Sequence, residues 1–254
     1  MNVLLISPGA LVVPASKGGA VEKLIEAYIN YNELHYMADF TLFTVKDSID
    51  YNLKYKHTKF EYIDNTTIMY KIEKAIRYII NNKLPKIHIG NVFIHNVIKK
   101  LKKDNTKYDA IIVENLPHYV LQLRKLYPNT KIIYHIHNDY LNCKTKKAKK
   151  ILDSYDKIIA ISEYISNCIQ TIESTDKIEI VYNGIDINKF SKEPLNERMK
   201  YYKQKYDIRS EDIVFLYTGR IIPEKGVKEL VLAFCSMLEK KDNINNLKLI
   251  ICRK

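Results

Sequence analysis

The chain has no tryptophan, only four cysteines, and 29 acidic residues against 41 basic ones, a formal net charge of +12 over 254 positions. Cys143, Cys168, Cys235 and Cys252 lie far apart and form no C-x-x-C pair, so neither a disulfide framework nor a zinc site is indicated. A reducing, cytoplasmic setting fits that usage best. No segment approaches the roughly 20 continuous apolar residues that a membrane span needs. The opening stretch MNVLLISPGALVVPAS lacks a basic start and is interrupted by Pro8 and Gly9, so it is not read as a secretory leader. There is no internal repeat and no low-complexity tract. The shortage of acid leaves two readings open: an anionic partner, such as a phosphorylated metabolite or a membrane surface, or a lysine-rich composition that makes every surface basic. Aromatic and basic residues do not interleave in a recognisable module, so nucleic acid is not expected as a partner.

What is present is a succession of short runs rich in Val, Ile, Leu and Phe between longer helical patterns, the mark of parallel β-α-β units. Strands are expected at NVLLIS, FTLFTV, FEYI, DAIIVE, KIIYHI, KIIAI and KIEIVY. Val21, Leu24, Ile25, Tyr28 and Ile29 share one face of a helix over 19–35, and Ile87, Ile94, Ile98 and Leu101 do the same over 86–103. The fold class is therefore α/β, with a doubly wound N-terminal Rossmann-like domain over 1–186. Residues 187–210 lose the strand pattern, turn polar around Pro194 and read as a linker containing a helix. A second Rossmann-like unit begins at 211 and runs to 254, with strand 213–218, helix 227–240 and strand 247–252. That is the first part of a domain, shorter than an independent one usually is.

In open α/β sheets, ligands meet the carboxyl ends of strands and the N-termini of helices. TGRIIPEKGVKEL sits at such an end: Gly219 would let the chain turn, and Arg220 and Lys225 place two cations near a helix start at Val227. That geometry suits a diphosphate, although a solvated arginine and lysine have the same spacing. The loop is not a P-loop, because Glu224 and Gly226 stand where glycine and a hydroxyl are required. Gly18 and Gly19 precede the first helix, either to let backbone approach a phosphate or sugar or as a plain flexible entry. His135 and His137 alternate along one strand and so face the same side. A metal would need further ligands, yet no histidine follows position 137, and no metal is expected. His137 is expected at the rim as a substrate contact, with His135 buried beneath it. Glu114 and Asn115 end a neighbouring strand, and Asn183 and Gly184 are expected to make a tight turn before the linker. The basic run CKTKKAKK, 143–150, reads as a solvated helix face. No Asp-x-Asp, Ser-His-Asp or G-x-G-x-x-G pattern is present.

Taken together, the Gly-Gly loop, HIHND at 135–139, DKIIAISEYI at 156–165, IVYNGIDINKF at 180–190 and YTGRIIPEKGVKELVLAF at 217–234 resemble the family 4 glycosyltransferases of the GT-B fold. The details of VPASKGGAVE, IIVENLPHYVLQL and HIHNDYLN are most similar to spore-coat-associated glycosyltransferase-like proteins. The resemblance spans the chain. It implies a retaining transfer of sugar from a nucleotide-sugar donor to a cell-envelope or surface glycan, lipid-linked or protein acceptor. Arg220 and Lys225 would grip the donor diphosphate, His137 would contact the transferred sugar, and the Gly18–Gly19 loop would approach donor phosphate and acceptor. No metal or other cofactor is implied, and a peripheral contact with the inner membrane face is. The resemblance also implies that the chain stops short of a glutamate pair and most of the nucleotide pocket of the second domain. The 254 residues alone are then expected to be inactive, or to be a GT-B remnant that serves as a binding or assembly module.

Overall fold

The computed structural model describes residues 1–83, 90–190, 196–239 and 246–253. It divides into two compact units, Met1–Gly184 and Ile185–Lys254. The boundary falls at Gly184 where 186 was expected, and the described parts of the expected linker group with the second unit. Pro194 and Ile87 lie outside the described residues.

Seven strands build the first unit: β1 Asn2–Ile6, β2 Asp39–Val45, β3 Thr58–Ile63, β4 Ala110–Glu114, β5 Lys131–Ile136, β6 Lys157–Ala160 and β7 Ile178–Ile180. All pairings are parallel, in the order β3-β2-β1-β4-β5-β6-β7. Every expected strand of this unit is present. The reason they were legible is burial on both faces, which makes a parallel strand a near-continuous apolar run. In β1, Leu4 and Ile6 point into one core and Val3 and Leu5 into the other. Helix α1, Ala20–His35, covers the second core with Ile25 and Ile29. Helices α3 (Val92–Leu101), α4 (Val120–Leu126), α5 (Ala148–Ser154) and α6 (Glu163–Gln170) cover the first. Within it Tyr134 and Tyr155 stack at 4.8 Å between ring centroids and 13° between planes, both fully buried. Such a pair adds about 0.5–1.5 kcal/mol beyond its area.

Local signals set the helix starts. Asn91 accepts the Ile94 N–H at 3.0 Å ahead of α3, and Ser162 accepts the Ile165 N–H at 3.3 Å ahead of α6. Each such cap is worth about 1 kcal/mol. Asn32 ends α1 by bonding the backbone N–H groups of Met37 and Ala38. The helices depart from expectation in three places. Helix α2, Ile68–Lys83, was not foreseen, and the helix expected over 86–103 is described only as Val92–Leu101. The basic run is a turn up to Lys147, which is left-handed at φ 61°, and becomes helical only from Ala148. Thr145 explains this: its hydroxyl accepts the Asn142 N–H at 2.9 Å and donates to the Tyr140 carbonyl at 2.8 Å, competing with helical bonding.

The second unit holds α7 (Ile187–Phe190), α8 (Asn196–Lys205), β8 (Ile213–Gly219), α9 (Val227–Glu239) and β9 (Leu247–Arg253). Strands β8 and β9 pair in parallel from Ile213 opposite Leu247 to Gly219 opposite Arg253. Among its described residues only Val227 is buried, while Ile213, Phe215 and Leu216 of β8 are exposed.

Candidate functional site

Strand order reverses between β1 and β4, so the chain leaves their carboxyl ends in opposite directions and opens a crevice there. Glu114 is the last residue of β4 and stands opposite His135 of β5 in the parallel register. Neighbours in register share a face, and His137 lies two residues on, so all three side chains meet. Glu114 Oε2 lies 2.9 Å from His137 Nε2 and 3.2 Å from His135 Nδ1, and the two rings are 4.2 Å apart. An ionised carboxylate can only accept, so those two nitrogens carry the protons. Tyr28 of α1 donates its hydroxyl to Oε1. Burial by itself would raise the Glu114 pKa. The hydrogen bonds and positive charge of the two imidazoles outweigh it and bring the carboxyl down to about 2.

Asn115 follows in the left-handed region, at φ 63°. Its Oδ1 accepts from the His137 backbone N–H at 3.3 Å and from Asn138 Nδ2 at 2.8 Å, and its own N–H donates to the His135 carbonyl at 2.9 Å. Asn115 therefore fixes the exit of β5 rather than offering itself to solvent.

The entry to α1 lies beside this cluster. Gly19 caps the helix at φ 101°, and a Cβ there would sit 2.0 Å from Glu22 Oε2. Gly18, at φ 80°, has nothing within 4 Å of where a Cβ would be, so backbone conformation alone demands glycine and the space beside it is open. Glu22 is buried. Burial raises its pKa first; its own backbone N–H and the charge of His137 act against that, and Glu114 adds to it.

Sequence reasoning found Glu114, Asn115, His135 and His137, and the structure brings them together. It missed Tyr28 as a partner of Glu114, and it missed Glu22; the available signal was a carboxylate among the inward positions of an otherwise apolar helix face. Both histidine side chains are largely buried, that of His137 7% exposed and that of His135 14%, since both are drawn onto Glu114; His135 does not lie buried beneath His137 as expected. Asn183 and Gly184 form no turn; they are exposed, irregular chain at the end of the first unit. Among the described residues, Glu114, His135 and His137 also present three ligand atoms within 4.8 Å of one another. Their mutual hydrogen bonds already satisfy them without a cation.

In the second unit, Gly219 is the last residue of β8 and not a turn; a Cβ there would lie 2.9 Å from Tyr217 Oη, which donates to the Arg220 carbonyl at 3.0 Å. The reversal comes later, through the 3-10 turn Pro223–Lys225 and Gly226 at φ 66°, directly before α9. Arg220 and Lys225 are exposed at the two ends of this loop. A strand end, two cations and the positive end of a helix dipole suit a diphosphate.

The family model described as Glycosyltransferase Family 4 matches residues 63–189, half of the chain and the part that carries Glu114, Asn115, His135 and His137. Over 250 residues the chain is 27% identical to "Putative glycosyltransferase YtcC" of Bacillus subtilis (strain 168), covering 94% of this chain and 54% of that protein. It is 23% identical to spore coat protein SA of the same organism, covering 96% and 59%. The chain thus spans between half and three-fifths of these relatives. Among solved structures, E. coli "Trehalose-6-phosphate" bound with UDP-2-fluoro glucose aligns with all of this chain and 64% of its own, at TM-score 0.68 and 14% identity. At that identity the likeness shows the fold, a GT-B-type pair of Rossmann-like units.

Proposed function

The chain belongs to glycosyltransferase family 4, and from that membership we propose that the protein transfers a sugar, with retention, from a nucleotide-sugar donor to an acceptor. The observation that carries the reading is the Glu114–His137 pair at the strand-order reversal, inside the span matched by the family model. Because Nε2–H is committed to Glu114, His137 Nδ1 is the ring nitrogen left to hydrogen-bond a sugar hydroxyl. Glu114 and Asn115 position that ring. The backbone at Gly18 and Gly19 can approach a polar ligand closely. Arg220 and Lys225 are assigned to the donor diphosphate, where they stabilise charge that develops as the anomeric C–O bond breaks. The acceptor is assigned here to the cell-envelope or surface class, a glycan, lipid-linked or protein group. No cofactor is needed for this chemistry.

The test is release of nucleoside diphosphate from nucleotide sugars, compared between the full-length protein and its Arg220→Ala variant. Loss of one such electrostatic donor lowers turnover about 10² to 10³-fold, with melting of the first unit unchanged. Activity within about twofold of the parent would remove the assignment. Donor binding without any transfer would favour a binding or assembly module instead.

A further inference from the structure

Glu22 is a buried carboxylate that the transfer chemistry above does not use. Its place follows from the helix that carries it. Glu22, Ile25, Ile29 and Asn32 are the buried positions of α1 and recur at helical spacing, so they form the stripe that faces the sheet. Ile25 and Ile29 belong to the core that holds Val3 and Leu5 of β1. Glu22 lies about one turn before Ile25 and therefore overhangs the carboxyl end of β1, at the edge of the crevice. Two features hold it there as an anion. It stands in the first turn of α1, at the positive end of the helix dipole, and it accepts from its own backbone N–H. Gly19 makes the room, since a side chain at that position would displace the carboxylate.

We propose that Glu22 accepts hydroxyl groups of the sugar that enters the crevice, and that its charge turns the Gly18–Gly19 entry of α1 away from phosphate. A helix N-terminus preceded by glycine is ordinarily an anion site. Here the chain supplies the anion itself. Among the described residues Glu22 forms no salt bridge, and its one hydrogen bond leaves open most of the roughly four lone-pair sites of an ionised carboxylate. A phosphate brought to this end of α1 would face a buried carboxylate where charges are poorly screened. A hydroxyl brings the donor that the carboxylate lacks, in a charge-assisted bond. The space for it is present, because nothing lies within 4 Å of where a Cβ of Gly18 would be. His137 is close enough for its charge to act on Glu22. The inference rests on the sugar-transfer reading and divides its ligand: hydroxyls fall to Glu22, and phosphates to Arg220 and Lys225.

The experiment is calorimetric titration of the full-length protein and of its Glu22→Gln and Glu22→Ala variants with UDP-glucose, UDP-N-acetylglucosamine and GDP-mannose, each paired with UDP or GDP alone. For the sugar that the parent takes, the ratio of sugar-nucleotide affinity to nucleotide affinity should fall about ten- to a hundredfold in both variants, the worth of a hydrogen bond to a charged group. Affinity for the bare nucleotide should stay the same or rise, since a repelling charge is gone. Melting of Glu22→Gln at neutral pH should be no lower than that of the parent. A glutamate that serves only to cap α1 would give the reverse: lower melting and an unchanged ratio. A ratio within about twofold of the parent's, or a variant that weakens the bare nucleotide as much as the sugar nucleotide, overturns the inference alone. Failure of every sugar nucleotide to bind the parent removes the sugar-transfer reading, and the inference with it.

Discussion

At the scale of single residues, the centre of the first unit is one carboxylate holding three donors, and its titration is the most direct check on that geometry. The Glu114 pKa is depressed, from 4.5 to about 2, so its contribution to stability is present above about pH 4.5 and is lost as pH falls through about 2. The loss is on the order of 3 kcal/mol. Glu22, whose pKa is raised, acts in the opposite sense: its burial as an anion costs stability at neutral pH, and acid relieves that cost. Comparing parent with Glu114→Gln separates the two. The variant should be less stable at neutral pH and have a flatter acid limb in melting temperature between pH 5 and pH 2; equal slopes would mean that Glu114 is not held by the histidines. The four residues of this cluster on β4 and β5 were legible because they sit at strand ends. Tyr28 was not, since it reaches Glu114 across 86 positions, a distance closed only by how α1 packs on the sheet.

At the scale of elements, the loop from β1 to α1 is pinned to the core it overlies. Gly9 adopts φ 74°, and a Cβ there would come within 2.3 Å of the buried Phe93 ring on α3. Tyr119 also donates to the Pro8 carbonyl at 3.0 Å. Gly9→Ala combines left-handed strain with overpacking and should cost about 2–4 kcal/mol, read from urea unfolding of the first unit; a change within about 0.5 kcal/mol, the range of neutral surface substitutions, would show that the loop is not seated as described. Strands were the most legible elements, because two-sided burial writes itself as an apolar run. Helix α2 was the least legible: periodicity can show that a helix has two sides but not which of them faces the core. The run from Cys143 to Lys150 was misread because its lysines suggested a solvated helix, whereas Thr145 commits the backbone to a turn.

At the scale of the whole molecule, the two units differ in how much they bury. Both cores lie in Met1–Gly184, while the described part of the second unit buries only Val227. Amide exchange followed by mass spectrometry should therefore find β8, α9 and β9 unprotected well before β1, β4 and β5; equal protection in both units would contradict that ordering. The α/β class and the presence of a second unit were legible from alternating strands and helices. The unit boundary at Gly184 falls two residues before the expected 186, within a stretch, 181–186, that has no regular secondary structure to mark it. The stacked pair Tyr134 and Tyr155 adds an optical consequence. With no tryptophan in the chain, the aromatic circular dichroism belongs to tyrosine and phenylalanine, and a rigid pair inside the first unit contributes to it more than the exposed tyrosines of α8. Burial also holds both hydroxyls well above their ordinary pKa, so these chromophores stay un-ionised in alkali after the exposed tyrosines have turned to phenolate. The first unit thus carries its own spectral label, one that changes when that unit opens and is indifferent to the state of the second.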